Sequence, residues 1–148
     1  DTLSTLADSP LAEATSYEAF AGARVCRPEG WSMFQMEATG LIEPFITLIQ
    51  KRTPVDCAKA LLSGEVDVFA IELESANNAF HELGATDKVT INPTLVRFAT
   101  YHLITSRNNP RGRSFIAMLN KGLTEMRKSG EWYYIVASGL ADYNAQNA

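Results

Sequence analysis

Two short stretches of this sequence combine residue types that can hold a small polar molecule. Gly30–Trp31–Ser32 follows a strand-like segment, and Glu72 follows the apolar run Val66–Ile71. Glycine permits close backbone approach, free N–H groups at a helix start bind carbonyl or anionic oxygens, and a carboxylate accepts charge-assisted hydrogen bonds from an ammonium. These residues predict solute binding. Two plainer interpretations stay open: a simple strand-to-helix turn at Gly30–Trp31–Ser32, and a solvated carboxylate at a helix start for Glu72.

The other reactive side chains form no catalytic or metal-binding pattern. His81 and His102, together with Cys26 and Cys57, lack the spacing of a zinc site. No nucleophile is paired with a base, and no two carboxylates have environments that would separate an acid from a base. Asp67 is expected to stabilise the start of its strand. We therefore expect no catalytic residues, no metal and no cofactor, and hence no enzymatic activity.

Charge and hydropathy narrow the class of partner. The chain has 13 Lys and Arg against 17 Asp and Glu, a net charge of −4, which lacks the electrostatic footprint of a nucleic-acid-binding protein. A basic cluster of Arg107, Arg111 and Arg113 would suit an anion or a docking partner, although such clusters are more often solvated surface. No apolar run approaches the ~18 residues that suggest a membrane span.

Alternating strand and helix patterns must position these residues. Strands are predicted over 23–27, 45–50, 66–71, 88–92 and 101–105, and helices over 31–39, 53–63, 75–83, 110–129 and 132–138. The clearest helix start is Thr53–Pro54, where Asp56 completes a capping pattern. Residues 1–16, rich in Ser, Thr, Asp and Ala, predict a linker.

The order of the first three strands and two helices predicts an α/β fold with a doubly wound, mostly parallel sheet. If the strands lie in the order second–first–third, right-handed crossovers place helix 53–63 over the first strand and helix 31–39 on the opposite face. Cys57 then lies over Cys26, which predicts a disulfide; the plainer alternative is two buried free thiols. Ligands bind beyond the carboxyl ends of strands at the switch point of such a sheet, and those ends carry Gly30–Trp31–Ser32 and Glu72.

Three motifs resemble the family 3 extracellular solute-binding proteins, which have the type 2 periplasmic-binding fold. They are FAGARVCRPEG at 20–30, LLSGEVDVFAIE at 61–72, and LNKGLTEMRKSG at 119–130 preceded by 102–107 and Asn109–Pro110. In this family two lobes close around a solute and two hinge strands join them. The resemblance implies a linker after the first hinge at 1–16, the second lobe at 17–99, and the second hinge with returning C-terminal helices at 100–148.

The same resemblance implies a site and a function. The family's second-lobe ligand contacts fall on Gly30, Ser32 and Glu72. At position 72, amino-acid-binding members more often have Asp. Trp31 would stack on the solute at the cleft rim. We expect a substrate-binding component of a bacterial ABC transporter for polar amino acids, periplasmic and partnered by a membrane permease. A sensor domain of a receptor or histidine kinase, and a dehydratase-like enzyme on this fold, are the alternatives.

Much of the first lobe is expected to lie outside this chain. We therefore expect weak solute binding by the chain alone. The face that would meet the first lobe should expose apolar residues of the helices over 113–138, among them Phe115, Leu119 and Trp132, and such a patch favours self-association or domain exchange.

Overall fold

The computed structural model describes residues 1–98, 100 and 102–146. The chain divides into two compact units, Asp1–Ala99 and Thr100–Ala148. Within the described residues, no helix is both long and apolar enough to cross a membrane. The candidate residues Gly30, Trp31, Ser32 and Glu72 all belong to the first unit.

The first unit is built on a five-stranded sheet in the order β3-β2-β4-β1-β5. The strands are β1 Thr2–Leu6, β2 Arg24–Pro28, β3 Thr47–Lys51, β4 Val68–Ile71 and β5 Val89–Ile91. β2 is parallel to β3 and to β4, whereas β1 is antiparallel to β4 and to β5, so only β1 runs against the others. The predicted α/β class, the mostly parallel sheet and the second–first–third strand order are confirmed.

The first strand overturns the prediction of a linker over residues 1–16. Thr2–Leu6 lies inside the sheet, where Thr2 to Thr5 are buried and Thr2 pairs with Ile71 of β4. Its backbone groups are satisfied by two neighbouring strands, and the Thr2 hydroxyl donates to the Ile71 carbonyl at 2.9 Å. Tertiary pairing therefore outweighed a composition that is usual in loops. The β-branched Thr2 and Thr5 beside two leucines were the strand signal that composition concealed.

Helices cover both faces of this sheet and bury two hydrophobic clusters. The helices are α1 Phe34–Thr39, α2 Pro54–Leu62 and α3 Leu73–Glu82. Val68 and Ala70 of β4 face the cluster that includes Met36 of α1, whereas Phe69 and Ile71 face the cluster formed with α2 and α3. This alternation follows from the two-residue repeat of a strand. As the crossover argument predicts, α1 and α2 lie on opposite faces.

The predicted disulfide between Cys26 and Cys57 is present. Both residues are fully buried, their Cα atoms lie 5.6 Å apart, and the bridge ties β2 to α2. The Thr53 cap is confirmed too, because its hydroxyl accepts a hydrogen bond from the Asp56 amide at 3.1 Å. The helix that carries Cys57 is thus fixed at its start and along its buried face.

Arg24 and Asp67 join the amino ends of β2 and β4. The Asp67 carboxylate accepts hydrogen bonds from the Arg24 amide at 2.8 Å and from its guanidinium at 3.0 and 2.6 Å. The Arg24 guanidinium holds the pKa of the Asp67 carboxyl below its ordinary value. Asp67 therefore stabilises the strand start, as expected from the sequence.

Several predicted element boundaries were wrong. The helix predicted over 31–39 begins only at Phe34, and Leu73 already begins the helix predicted over 75–83. The predicted strand 101–105 begins at Tyr101, which lies outside the described residues, and residues 102–105 have no regular secondary structure. A strand requires a paired neighbour to satisfy its backbone, and 102–105 pair with no strand in the described part of the chain.

The second unit is a helical hairpin of α4 Gly112–Ser129 and α5 Glu131–Gln146. Gly130 joins the helices in the left-handed conformation (φ 83°), and the Arg127 guanidinium lies 5.5 Å from the centroid of the Trp132 ring. The second helix extends well beyond the predicted Ser138. Large apolar side chains are exposed on both helices: Phe115, Met118, Tyr133, Tyr134, Ile135, Val136, Leu140 and Tyr143.

Removing the disulfide should destabilise the first unit without abolishing its topology. The bridge spans 31 positions, and closing a loop of that size should contribute roughly 3–4 kcal/mol in the chain-entropy description. Urea denaturation of the Cys26→Ala, Cys57→Ala double variant should show a loss of that size. Added reductant should lower the free energy of unfolding of the wild-type protein and leave that of the double variant unchanged. Equal unfolding free energies for the two proteins would contradict this.

Candidate functional site

Three chain segments meet at one edge of the sheet. Parallel strands β2 and β4 end there at Pro28 and Ile71, and the antiparallel β1 begins there with Thr2 opposite Ile71. The turn after Pro28, the residue Glu72 and the side chain of Asp1 therefore gather at the carboxyl edge. Ligands of open α/β sheets bind at this edge, beside the point where the strand order changes direction.

The turn that follows β2 is closed by its own hydrogen bonds. Gly30 has φ 79°, a conformation that side chains disfavour, and the Trp31 amide donates to the Pro28 carbonyl at 3.3 Å. The Ser32 hydroxyl accepts from the Phe34 amide at 3.3 Å. The helix start expected at Trp31 is thus wrong, because the Trp31 amide closes this turn and α1 begins only at Phe34. Ser32 and Gly30 are both exposed at this turn.

Trp31 and Glu72 come together although 41 positions separate them. The indole Nε1–H of Trp31 donates to Oε2 of Glu72 at 2.9 Å, and both side chains are half-buried. Trp31 packs against the hydrophobic cluster that α2 and α3 form with β4, and this cluster includes Ile71, the last residue of β4. The two residues singled out from separate motifs therefore form one hydrogen-bonded pair.

The position of Glu72 resembles a helix cap, but its side chain does not act as one. Glu72 is the N-cap residue of α3, and its carboxylate makes no hydrogen bond to the helix amides. Thr53 at the matching position of α2 does make that bond. The carboxylate instead accepts the hydrogen bond from Trp31, so Glu72 does not cap the first turn of α3 through its side chain.

Arg27, to which no motif assigns a role, is the largest fully buried side chain among the described residues. Its Nη1 donates to the Ala70 carbonyl at 3.2 Å, its Nη2 donates to the Ser32 carbonyl, and Nη1 lies 2.9 Å from Asp1 Oδ2. The contact with Asp1 is an ion pair without hydrogen-bond geometry. Burial lowers the pKa of Arg27, and the nearby Glu72 charge opposes that shift. The sequence signal for its burial is its spacing, because Arg27 follows the buried Val25 by two residues and therefore lies on the same face of β2.

The remaining polar candidates belong to α3 and to the second unit. His81 is exposed on α3, and the His102 ring lies in the second unit, where its Nε2 is 2.8 Å from the Thr100 hydroxyl. Among the described residues, no three His, Cys, Asp or Glu side chains cluster as metal ligands would. The arginines of the basic cluster, Arg107, Arg111 and Arg113, are exposed around the start of α4.

Solved structures share this fold. No family model and no curated protein matches the chain. A histidine kinase sensor domain with similarity to periplasmic binding proteins matches with TM-score 0.71 and 20% identity, covering 93% of this chain and 57% of that one. A mutant of ArgBP from T. maritima matches with TM-score 0.68 and 16% identity, covering 91% and 55%.

The substrate binding protein of an amino acid ABC transporter matches with TM-score 0.58 and 19% identity, covering 91% of this chain and 56% of that one. The chain thus spans a little over half the length of these structures. At such identities the likeness establishes the fold, which is that of a periplasmic-binding-protein lobe.

Substitutions at Glu72 and Thr53 test whether Glu72 caps α3, because Thr53 is a true cap at the matching position of α2. Thr53→Ala should cost about 1 kcal/mol and speed hydrogen exchange of the Asp56 amide, because it removes a real cap. Glu72→Ala should leave exchange of the equivalent amide, at Ser75, within about twofold of wild type, because no cap is lost. Amide exchange by NMR measures both. Equal acceleration at Ser75 and Asp56 would show that Glu72 is simply a cap.

Proposed function

We propose that this chain, which has the fold of one lobe of a periplasmic binding protein, forms one wall of a cleft that captures a small amino-acid-like solute without changing it. The observation that carries the proposal is the Trp31–Glu72 pair at the carboxyl edge of β2 and β4. An acidic side chain at this edge, held by a neighbour and free of capping bonds, is available to a ligand.

Glu72 is the proposed partner of a solute ammonium group. Trp31 Nε1–H occupies one carboxylate oxygen and holds the group in place, and the second oxygen can accept a charge-assisted hydrogen bond. The exposed Ser32 hydroxyl and the backbone at Gly30 border the same region and would contact the polar part of the solute. The half-buried indole of Trp31 supplies an apolar surface against which the solute can pack.

A complete site requires a second wall. Small-molecule sites bury about 70–90% of the ligand surface, and the carboxyl edge of one lobe covers one side only. We propose that a further lobe closes over Glu72 and that contacts made only in the closed form drive closure. The 148-residue chain alone should then bind its solute weakly.

The second unit is proposed to dock on that further lobe. Its hairpin exposes aromatic and aliphatic side chains on α4 and α5, including Phe115 and Tyr134. Extensive exposed apolar surface marks an interaction site. Without the other lobe this surface favours self-association of the chain, as expected from the sequence, although Leu119 and Trp132 are half-buried rather than exposed.

Transport is the proposed biological setting, with a membrane-embedded ABC permease as partner and the periplasm as location. The buried Cys26–Cys57 disulfide supports an oxidising compartment. The likeness to a histidine kinase sensor domain supports a second candidate, an extracytoplasmic sensor. A membrane-spanning segment fused to this chain in the full-length protein would favour the sensor, and a separately encoded permease would favour the transporter.

Glu72→Gln in a protein that contains both lobes should weaken solute binding roughly 10- to 100-fold, because it removes the charge while keeping the shape. Ser32→Ala should reduce the affinity less, since the backbone groups of the same turn can still contact the solute. Calorimetric titration with a panel of amino acids measures both variants, and Asp67→Asn, distant from the site, is the matched control for loss of an acidic side chain. Unchanged affinity in folded Glu72→Gln, or tight binding by the 148-residue chain alone, would contradict the proposed half-site.

A further inference from the structure

We infer that Arg27 is a positioning residue that fixes the spacing between Trp31 and Glu72, and that it acts from beneath the site without contacting solute. The inference rests on the proposed function for its biological meaning. Its physical content, the geometry of the Trp31–Glu72 pair, stands independently of any solute.

The contacts of Arg27 reach all three segments that converge at the carboxyl edge. Its guanidinium holds the Ser32 carbonyl in the turn that carries Trp31, and the Ala70 carbonyl two residues before Glu72. The same group forms an ion pair with Asp1, immediately before β1. One side chain therefore links the Trp31 turn to the end of β4.

Only arginine has the chemistry for this arrangement. Its planar guanidinium presents five donors in a fixed geometry, whereas the single ammonium of lysine is a compact point charge. Arg27 is 2% exposed and its Nε has no hydrogen-bond partner among the described residues. Burying an arginine at this cost is difficult to explain by stability, since buried ion pairs are often replaced by apolar residues without loss. Conformational specificity at the adjacent site is the better explanation.

Arg24 provides a matched control on the same strand. It lies at the opposite end of β2, where its guanidinium binds Asp67, and its side chain is 44% exposed. Loss of Arg24 should weaken the strand start and leave the Trp31 turn unchanged. Trp132 in the second unit provides an internal spectroscopic control, because the chain has only two tryptophans.

The test measures indole N–H exchange by NMR in the 148-residue chain without solute. Arg27→Met should speed exchange of the Trp31 indole N–H about tenfold, the effect of losing one ordinary hydrogen bond. Arg27→Lys should also speed it, because an ammonium cannot span the Ser32 and Ala70 carbonyls in the same way. Arg24→Met should leave Trp31 at the wild-type rate, and Trp132 should be unchanged in every variant.

If the Trp31 indole N–H of a folded Arg27→Met protein exchanges at the wild-type rate, the inference is overturned. If Arg27→Met does not fold, Arg27→Lys decides by the same criterion. Failure of both to fold would show that Arg27 serves the whole unit, which also contradicts a local role. Because no solute is present, these outcomes are separate from the proposed function, which fails if the two-lobed protein binds no solute while the Trp31 result holds.

Discussion

The parallel pairing of β2 with β4 is the constraint on which the rest of this structure depends. It places Cys26 beneath α2, where the disulfide forms, and it brings the ends of two distant motifs to one edge. Each end of the pairing has its own arginine. The Arg24–Asp67 pair is partly exposed, whereas Arg27 is buried and contacts backbone carbonyls and Asp1. The Arg24–Asp67 pair joins the strand starts, and Arg27 lies beside the candidate site.

The sequence predicted those features that arise from strong local signals. Thr53, Pro54 and Asp56 identified α2, and the apolar run before Glu72 identified β4, so the crossover argument could place Cys57 over Cys26. The resemblance to a binding-protein family pointed to the same edge. Neither the local sequence signals nor the family resemblance predicts that Trp31 donates to Glu72, because that contact depends on how the turn after Gly30 folds.

The errors have physical causes of the same kind. Composition does not predict β1, because this strand is stabilised by its pairing with two neighbouring strands. The sequence pattern predicts too early a start for α1, because the Trp31 amide closes a turn on Pro28. The spacing of Arg27 from Val25 indicates a buried position, but it does not reveal the partners, which are two backbone carbonyls and Asp1.

We propose that the chain is a preorganised wall with a carboxylate held at the sheet edge and an apolar hairpin for docking. In this proposal the complete protein captures a solute and releases it unchanged. The most direct test is to purify the two-lobed protein under native conditions, denature it, and identify the released small molecules by mass spectrometry. The account predicts one amine-bearing solute for each protein molecule, chemically intact after repeated binding and release. Release of no solute, or conversion of an added amino acid into a product, would contradict it.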